Sequence, residues 1–561
     1  NTGYNQRNNN ELTDNRNREF VEIFTNQLTY DHSFGKHDIN AVLVGEQQKT
    51  NGSFLNGSGM QPNNDINQLS GATSQSVDGE ISERILLSYA ARLNYAFADK
   101  YLLNASFRRD GSSVFAPGKK WANFPGGSIG WVISEENFMQ NIEVLSNLKL
   151  RASYGSVGFN AVNSAYPWQS VVYTNTSAVC NNSENIGAYY HTLPNEDLEW
   201  EITHTTNAGF DLGLFDYAFT LSAEYYIREV DNLIVGNPLP TSMGYAIDPL
   251  ANVGSMKNWG YDFEAGYNQR DGEFQYSISA NISFVNNEVL ELSSGQPNIN
   301  REGVTSDYGG YTITRTEEGE PIQYFYGWVT DGIFQSQDEI DALNPDPDNN
   351  EYYQTESTAP GDIKFKDLDG NGYIDEDDRT NIGSHLPDFT YGMNISADYK
   401  GIDASLFLQG VYGNEIYNGT KVLTQGMMRL FNQDKAVLDA WTPENTNTDI
   451  PRAIDGDPSH NVRTSDRFVE DGSYMRIKEF TIGYNFSENM MSSWFKQGTI
   501  SKLRLYFTAQ NLLTLTGYSG YDPEIGASSN YSGENSTLLH GVDFGFYPQP
   551  RTYMIGISTS F

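Results

Sequence analysis

The chain has 561 residues and a formal net charge of −37. A charge of this sign excludes nucleic-acid binding, because the phosphate backbone would repel the protein. The sequence contains no apolar run of about 18 residues or more, which excludes a membrane-spanning helix.

Alternating apolar and polar residues recur along the chain in segments of about ten. The clearest pair, 388–399 and 402–412, places Met393 and Ile395 on one face and turns at 400–401. Strands are predicted at 19–31, 37–47, 85–97, 101–108, 126–134, 147–155, 201–214, 217–228, 258–270, 273–286, 388–399, 402–412, 473–487, 500–511 and 550–561. This pattern predicts an all-β fold, a transmembrane antiparallel β-barrel with about 15 strands in this chain. Its apolar face should meet lipid, which suits a content of 38% hydrophobic and 13% aromatic residues.

The predicted connections are of two lengths. Short turns fall near 34–36, 98–100, 215–216, 271–272 and 400–401, and long connections fall at about 230–257, 287–387, 413–472 and 512–549. Bacterial barrels place short turns in the periplasm and long loops outside, so Phe561 is expected in the periplasm and Asn1 outside the cell. Because complete bacterial barrels have an even strand count, residues 1–561 are expected to be the C-terminal part of a larger barrel, with its first strands missing.

Several motifs identify a family. They are Arg109–Phe115, Trp121–Pro125, Gly130–Phe138, Leu148–Gly155, Asn252–Gly260, Gly361–Asp367, Trp441–Asn445, Gln510–Leu513 and Tyr521–Glu524. In this order and spacing they resemble the SusC/RagA-type TonB-dependent transporters of the Bacteroidetes outer membrane. Two departures are modest: Gly158-Phe159-Asn160 intervenes where the family has a Gly-Asn pair after Gly155, and Val114 replaces a residue that is often Arg.

The resemblance implies a 22-stranded barrel with an N-terminal plug, so the plug and seven strands would precede this chain. It further implies active, TonB-dependent import of a bulky nutrient, either a glycan or a peptide. A SusD-like surface lipoprotein would act as a lid, and TonB would contact the missing N-terminal part. Two other functions remain open from the residues: a passive porin-like channel, and a surface barrel that transports nothing.

One segment has the spacing of a calcium-binding loop. Residues 367–378 match Asp-x-Asp-x-Asn-Gly over their first six positions. Ca²⁺ prefers oxygen ligands at positions 1, 3, 5, 7, 9 and 12 of such a loop. The predicted ligands are Asp367, Asp369, Asn371, the Tyr373 carbonyl, Asp375 and Asp378. The loop departs from the EF-hand pattern because position 12 is Asp rather than Glu and because no flanking helices are predicted. The alternative is an Asp/Asn/Gly turn that binds no metal.

The same long connection contains a cluster of aromatic residues. The candidates for ligand or partner contact are Tyr308, Tyr311, Tyr324, Tyr326 and Trp328. Aromatic rings stack on sugars or grip peptides, but packing within the loop is the simpler alternative. In the next long connection, a weakly helical pattern from Gln425 to Trp441 predicts a short helix.

Catalysis has no support in the sequence. The seven His residues are scattered without a metal-ligand spacing such as His-x-x-x-His. Ser112 and Ser113 lie near Asp110 but have no His close in the sequence. The protein is therefore expected not to be an enzyme and to have no catalytic cofactor.

Overall fold

The computed structural model describes residues 10–61, 67–160, 166–180, 183–236, 241–245, 247, 249–292, 297–302, 310–344, 351–428, 432–494, 500–526 and 539–560. Its main feature is a sheet of fifteen strands that follow one another in chain order. The strands are Asn10–Phe34, His37–Gln61, Ser74–Phe97, Tyr101–Ser112, Trp121–Val132, Leu145–Phe159, Glu201–Leu214, Phe219–Asp231, Ser255–Gln269, Phe274–Glu291, Phe389–Tyr399, Ile402–Tyr412, Tyr474–Asn485, Lys502–Thr516 and Thr552–Ser560. The predicted all-β fold with about fifteen strands is confirmed.

The short turns of this sheet use backbone conformations that reverse the chain tightly. Lys400 and Gly401 have φ of 48° and 91°, and Ala98 and Asp99 have φ of 55° and 58°. At Lys400-Gly401 the consecutive positive φ angles form a two-residue turn, whose twist matches paired antiparallel strands, whereas the turn at 98–100 has three residues. The pairing Tyr399↔Ile402 follows directly from such a turn.

The sheet alternates between two kinds of face. In the first strands, Leu28 lies opposite Leu43 and Leu43 opposite Ala91, so these apolar residues share one face. On the other face, Asn40 accepts a hydrogen bond from Asn94, and Asn94 accepts one from Asn104. A polar ladder of side chains therefore runs across neighbouring strands behind the apolar face.

The chain divides into two compact units. The first comprises Asn1–Val132, Arg151–Thr206 and Arg228–Ser255. Its small core consists of Val114, Phe115, Ala122, Phe124, Leu198 and Trp200. This core explains two of the sequence motifs, because Arg109–Phe115 and Trp121–Pro125 supply most of its members.

Gly158 also belongs to this core region. A Cβ on it would lie 2.2 Å from Phe124 Cζ, so only glycine permits this approach. The unit also contains two strand pairs outside the large sheet, Val171–Cys180 with Ser183–Thr192 and Ile234–Gly236 with Leu250–Asn252. The first pair lies in the connection 160–200, which the sequence analysis did not identify as long.

The second unit comprises Ile133–Leu150, Asn207–Ile227 and Met256–Phe561. Its long connections run between the strand ends, at 292–388, 413–473 and 517–551. They contain three small sheets: Asn298–Glu302, Thr312–Glu317, Tyr324–Gly327 and Thr380–Gly383; Thr330–Ile333 with Ile363–Phe365; and Glu415–Asn418 with Val469–Asp471 and Val542–Asp543. The long connections are therefore structured over much of their described length.

Helices are few and short in the described residues. The α-helices are Gln337–Leu343, Gly419–Gln425 and Glu488–Trp494, and the 3-10 helices are Leu69–Gly71, Ile133–Glu135, Thr241–Met243, Lys435–Asp439 and Asp466–Phe468. None of the described helices has the length and apolarity needed to cross a membrane.

The predicted helix from Gln425 to Trp441 needs correction. The α-helix ends at Gln425, and its N-terminus is capped by the Asn418 side chain, which accepts a hydrogen bond from the Lys421 N–H. Beyond Gln425, the described residues of the predicted span are helical only at Lys435–Asp439, a 3-10 helix capped by Asp434.

Candidate functional site

The long connections of the second unit share a buried core, called here the Tyr417 core. Its members are Ile313, Phe325, Tyr417, Val422, Val462, Phe468, Leu539 and Val542. The connections 292–388, 413–473 and 517–551 all contribute to it. The three-stranded sheet also joins the connections 413–473 and 517–551, because Tyr417 pairs with Val469 on one side and with Val542 on the other.

A second core, called here the Trp328 core, lies in the same region. Its members are Trp328, Ile333, Phe334, Ile340, Tyr353, Ile363, Phe365, Ile374 and Trp441. Two arginines contact the ring of Trp328: the Arg379 and Arg463 guanidinium carbons lie 5.3 Å and 5.1 Å from its centre. Such cation–π contacts stabilise the ring in place, and more so where water is excluded.

The predicted aromatic residues contribute to this packing. Tyr324, Tyr326 and Trp328 are 1%, 7% and 5% exposed, so little of their surface is left for a ligand in this chain. Tyr311 is half-buried and forms a hydrogen bond with His460 Nδ1 at 2.9 Å. Tyr308 lies outside the described residues. The burial supports loop packing for the first three, and contact of any of the five with a ligand or partner stays a prediction.

Burial and a carboxylate partner perturb one of these tyrosines strongly. Desolvation raises the pKa of Tyr324, and its hydrogen bond to the Glu317 carboxylate raises the pKa further. The hydroxyl is therefore protonated at neutral pH and donates to the Glu317 carboxylate. This contact joins the strands Thr312–Glu317 and Tyr324–Gly327.

The acidic loop 367–378 folds around its own carboxylates. Asp367 accepts hydrogen bonds from the Gly370 N–H at 2.6 Å and from the Gly372 N–H at 2.8 Å. Asp378 is fully buried and accepts from the N–H groups of Leu368 and Asp375 at 2.7 Å and 2.8 Å. One carboxylate oxygen each from Asp367, Asp369 and Asp378 lies within 4.8 Å of the others.

The remaining predicted ligands lie in the same loop. The Asn371 amide donates to Asp369 Oδ2 at 3.1 Å and to Asp375 Oδ2 at 3.0 Å, and its Oδ1 accepts from the Tyr373 N–H. The loop is fixed to the Trp328 core because the Trp328 indole donates to the Asp375 carbonyl at 2.7 Å. Asp369 also belongs to a second group of nearby carboxylates, with Asp375 and with Asp377, which was not among the predicted ligands. The four predicted carboxylates therefore fall into two groups that share Asp369.

The carboxylates differ in their electrostatics. The hydrogen bond from Gly372 lowers the pKa of Asp367. For Asp369, the hydrogen bond from Asn371 lowers the pKa, but desolvation and the carboxylates of Asp367, Asp378 and Asp375 outweigh it and raise the pKa. Mutual repulsion of this kind is the property that a bound cation relieves.

A buried polar network joins two of the long connections. Asp362 is fully buried, and Arg452 donates to it through Nε at 2.7 Å and Nη2 at 2.9 Å. Ser459 and Asn461 donate to the same carboxylate at 2.6 Å and 3.0 Å. A bidentate arginine with further donors is the arrangement that allows a carboxylate to stay charged inside a protein.

A second network explains the motif Tyr521–Glu524. Arg476, 2% exposed, donates to Asp522 at 2.6 Å and to Glu524 at 2.7 Å. The Gln549 N–H donates to the other oxygen of Asp522. The motif thereby fastens both ends of the connection 517–551 to the strand Tyr474–Asn485.

The sheet and these loops define the class of protein. The sequence profile described as "TonB dependent receptor-like, beta-barrel" matches residues 1–512, and the chain belongs to this family. Its location is the bacterial outer membrane. Members of this family are transporters rather than enzymes.

Individual relatives support the SusC/RagA resemblance. The chain is 34% identical to TonB-dependent receptor P3 of Formosa agariphila over 553 residues, which are 96% of this chain and 52% of the relative. It is 27% identical to TonB-dependent receptor SusC of Bacteroides thetaiotaomicron, over 95% of this chain and 49% of the relative. The chain thus spans about half the length of the curated relatives it matches.

A solved structure agrees with these relatives. The RagAB peptide transporter matches 98% of this chain and 56% of its own chain, with 25% identity and a TM-score of 0.79. The predicted resemblance to SusC and RagA is therefore confirmed.

Sequence reasoning missed the groups that hold the loops together. Asp362 was noted only as part of a motif, yet its partners Arg452, Ser459 and Asn461 are more than 85 residues away in the chain. The motif Asp522-Pro523-Glu524 was the available signal, because two carboxylates two residues apart can share one cation. Nothing in the sequence identified Arg476 as that cation.

Proposed function

We propose that this chain forms the C-terminal part of the barrel of an active importer for a bulky nutrient, a glycan or a peptide. Import would be driven by TonB through the N-terminal part of the protein, which would also supply the plug and the remaining strands. A SusD-like surface lipoprotein would cover the long loops on the outside of the cell. The chain itself would bind the nutrient and gate its passage, and it would neither form nor break covalent bonds.

The observation that supports this proposal best is the Tyr417 core, in which three long connections meet. Separate loops would suit a simple pore, because each could fluctuate by itself. Loops that share a core present one continuous surface, which a lid protein and an oligomeric ligand can both contact. The similarity to the RagAB peptide transporter supports a peptide as the nutrient, and the lipoprotein partner follows from the resemblance to the SusC/RagA family.

Uptake measurements test this function. In a strain lacking the gene, growth on one oligomeric nutrient should fail while growth on its monomer continues. Collapsing the proton-motive force should stop uptake in the parent strain. Uptake that persists without the proton-motive force would indicate a passive channel, and unimpaired growth of the deletion strain on every oligomer tested would indicate a barrel that transports nothing.

Co-purification tests the partner. A tagged receptor extracted in mild detergent should carry a surface lipoprotein in a fixed ratio. Recovery of the receptor without any lipoprotein, from membranes in which uptake is active, would contradict the lid part of the proposal while leaving import standing.

We propose in addition that the loop 367–378 binds Ca²⁺ as a structural ion. The residues that would hold it are Asp367, Asp369, Asn371, the Tyr373 carbonyl, Asp375 and Asp378, all oxygen donors of the kind that Ca²⁺ prefers. Support comes from the spacing and from the repulsion among the carboxylates described above. Since the Trp328 indole donates to the Asp375 carbonyl, ion binding would stiffen the Trp328 core.

Calcium titration of the chelator-treated receptor tests this site. We expect binding at or below about 1 mM, the weakest range of extracellular calcium modules. Asp369→Asn, at an exposed position, keeps an oxygen donor but removes one ligand charge, and it should weaken binding by about tenfold because affinity in such loops follows the ligand charge count. Asp338→Asn, on the helix Gln337–Leu343, is the matched control and should bind as the parent does. Absence of calcium binding in the parent protein would end this proposal.

A further inference from the structure

The membrane-facing side of the first strands is defined by the pairing of their residues. Leu28 lies opposite Leu43, Leu43 opposite Ala91, and Ala91 opposite Phe107, so these side chains share a face. Leu28, Leu43 and Phe107 are all substantially exposed. In an outer-membrane barrel the apolar, exposed face of the strands meets lipid.

This face contains a groove of about 610 Å³. Its lining includes Gly45, which has no side chain, and Ala91, which has a small one, and both leave space between the larger neighbours. Leu28, Leu43 and Phe107 stand around it. A Cβ on Gly45 would meet only Tyr89 Cδ1, at 3.9 Å, so the space above Gly45 is open. The groove is therefore suited to binding a hydrocarbon chain.

One end of the groove is cationic. The next row along the strands is Asn26, Gly45, Tyr89 and Arg109, each opposite the one before. The Arg109 guanidinium lies 5.3 Å from the centre of the Trp121 ring, and Trp121 stacks on Tyr89 at 6.2 Å. The adjacent Arg108 pairs with Asp110 at 2.7 Å, whereas no ion pair of Arg109 is formed within the described part of the chain.

The position of Arg109 along its strand matches a membrane interface. From the aromatic Tyr101 at the short turn to Arg109 the strand rises roughly 27 Å. With a strand tilt of 35–45°, this is roughly 20 Å along the membrane normal, close to the apolar band of about 25 Å. Arg109, Tyr89 and Trp121 therefore lie where the apolar band ends on the side away from the short turns.

We propose that this groove is a binding site for an outer-leaflet lipid with a phosphate-bearing headgroup. The acyl chain would lie over Gly45 and Ala91, and the phosphate would pair with Arg109 between Tyr89 and Trp121. Charge complementarity selects the headgroup, since Arg109 forms no ion pair with any residue that the structure describes, on a chain of net charge −37. The apolar groove selects a lipid over free phosphate. This inference rests on the family and its location and not on the proposed import.

Native mass spectrometry tests the site. The full-length receptor is released from nanodiscs of phosphatidylcholine that contain a minor fraction of phosphatidylglycerol. The parent should retain phosphatidylglycerol above its bulk fraction. Arg109→Gln should lower this enrichment about fivefold, the factor that one cation near a membrane surface contributes. Gly45→Leu should lower it too by filling the groove, and it should leave folding intact because only one atom lies near the new Cβ.

Arg92→Gln is the matched control, because Arg92 lies on the neighbouring strand opposite Ser106, on the other face of the sheet. It should retain phosphatidylglycerol as the parent does. Equal retention by Arg109→Gln and the parent would overturn the proposal, as would loss of retention by Arg92→Gln to the same degree. Displacement of the retained lipid by inorganic phosphate alone would assign the site to free phosphate and also overturn it.

Discussion

The fifteen-stranded sheet and the long connections of the second unit are stabilised in different ways. The sheet relies on backbone ladders and on an environment that differs between its two faces. The long connections rely on buried side chains: the Tyr417 core, the Trp328 core and the charge networks of Asp362 and Arg476. In the sheet, the identity of a residue matters mainly through the face it occupies. In the connections, single residues with distant partners decide the structure.

The largest expected effect comes from breaking a charge network in the connections. Asp362→Ala leaves Arg452 without its carboxylate and should destabilise the region 351–383 by about 3–5 kcal/mol, the range for a buried pair that loses one partner. Hydrogen exchange of this region should accelerate. Glu356→Ala, at an exposed neighbouring position, is the control. Unchanged exchange in Asp362→Ala would refute the assigned role of the network.

A charge on the lipid face tests the sheet. Leu43→Arg should cost about 2–4 kcal/mol of unfolding free energy in a bilayer if Leu43 lies near the midplane, since charge is expelled from hydrocarbon. Val44→Arg, one residue later and on the opposite face, should cost far less. Urea unfolding of the two variants in the same lipid measures the difference. Equal costs would mean that the two faces are not distinguished by lipid.

A packing change between strand and connection should have a smaller effect. Gly158→Ala places a methyl group 2.2 Å from Phe124 Cζ and 2.8 Å from Trp200 Cε3, so the surrounding core has to shift at about 1–3 kcal/mol. Gly155→Ala on the same strand has no atom within 4 Å of the new Cβ and is the matched control. Thermal unfolding of both variants should separate them, and similar midpoints would argue against close packing at Gly158.

A further effect concerns the pH dependence of stability in the connections. His385 stacks on His540 at 5.8 Å. Burial and the charge of His540, partly opposed by a hydrogen bond to the Gln323 carbonyl, together lower the pKa of His385 to about 4. Burial also lowers the pKa of His540. Unfolded imidazoles titrate near 6.5, so the unfolded state binds protons first as pH falls. The stability contribution is present above about pH 6.5 and is lost towards pH 4.

Proteolysis of the connections between pH 7 and pH 4 measures this loss. His385→Gln should flatten the pH dependence because the residue no longer titrates. His191→Gln, on the separate strand Ser183–Thr192, should leave it unchanged. A steep acid transition that survives in His385→Gln would assign the effect to other groups.

The strands were largely predictable from the sequence because the side-chain period of two is directly visible. The predictions 201–214 and 402–412 coincide with the strands Glu201–Leu214 and Ile402–Tyr412. The first two strands run further than predicted, Asn10–Phe34 and His37–Gln61, since their far ends are polar on both faces and carry no alternation.

The loops were less predictable because their contacts join residues far apart. The sequence identified the acidic loop and the aromatic cluster, but it did not indicate that Trp328 would donate to Asp375 across 47 positions. It offered ligand contact and packing as alternatives for Tyr324 and Tyr326, and the burial of both favours packing. Such contacts depend on the folded arrangement of three connections and have no local periodicity to reveal them.

The strand Glu415–Asn418, which pairs with Val469–Asp471 and with Val542–Asp543, has a consequence for engineering. Suppose that a chimera takes only one of these connections from a relative. The strand in that connection would then have to form its backbone hydrogen bonds with strands that come from the other parent. Ligand preference should therefore transfer between receptors only when 413–473 and 517–551 are exchanged as a set.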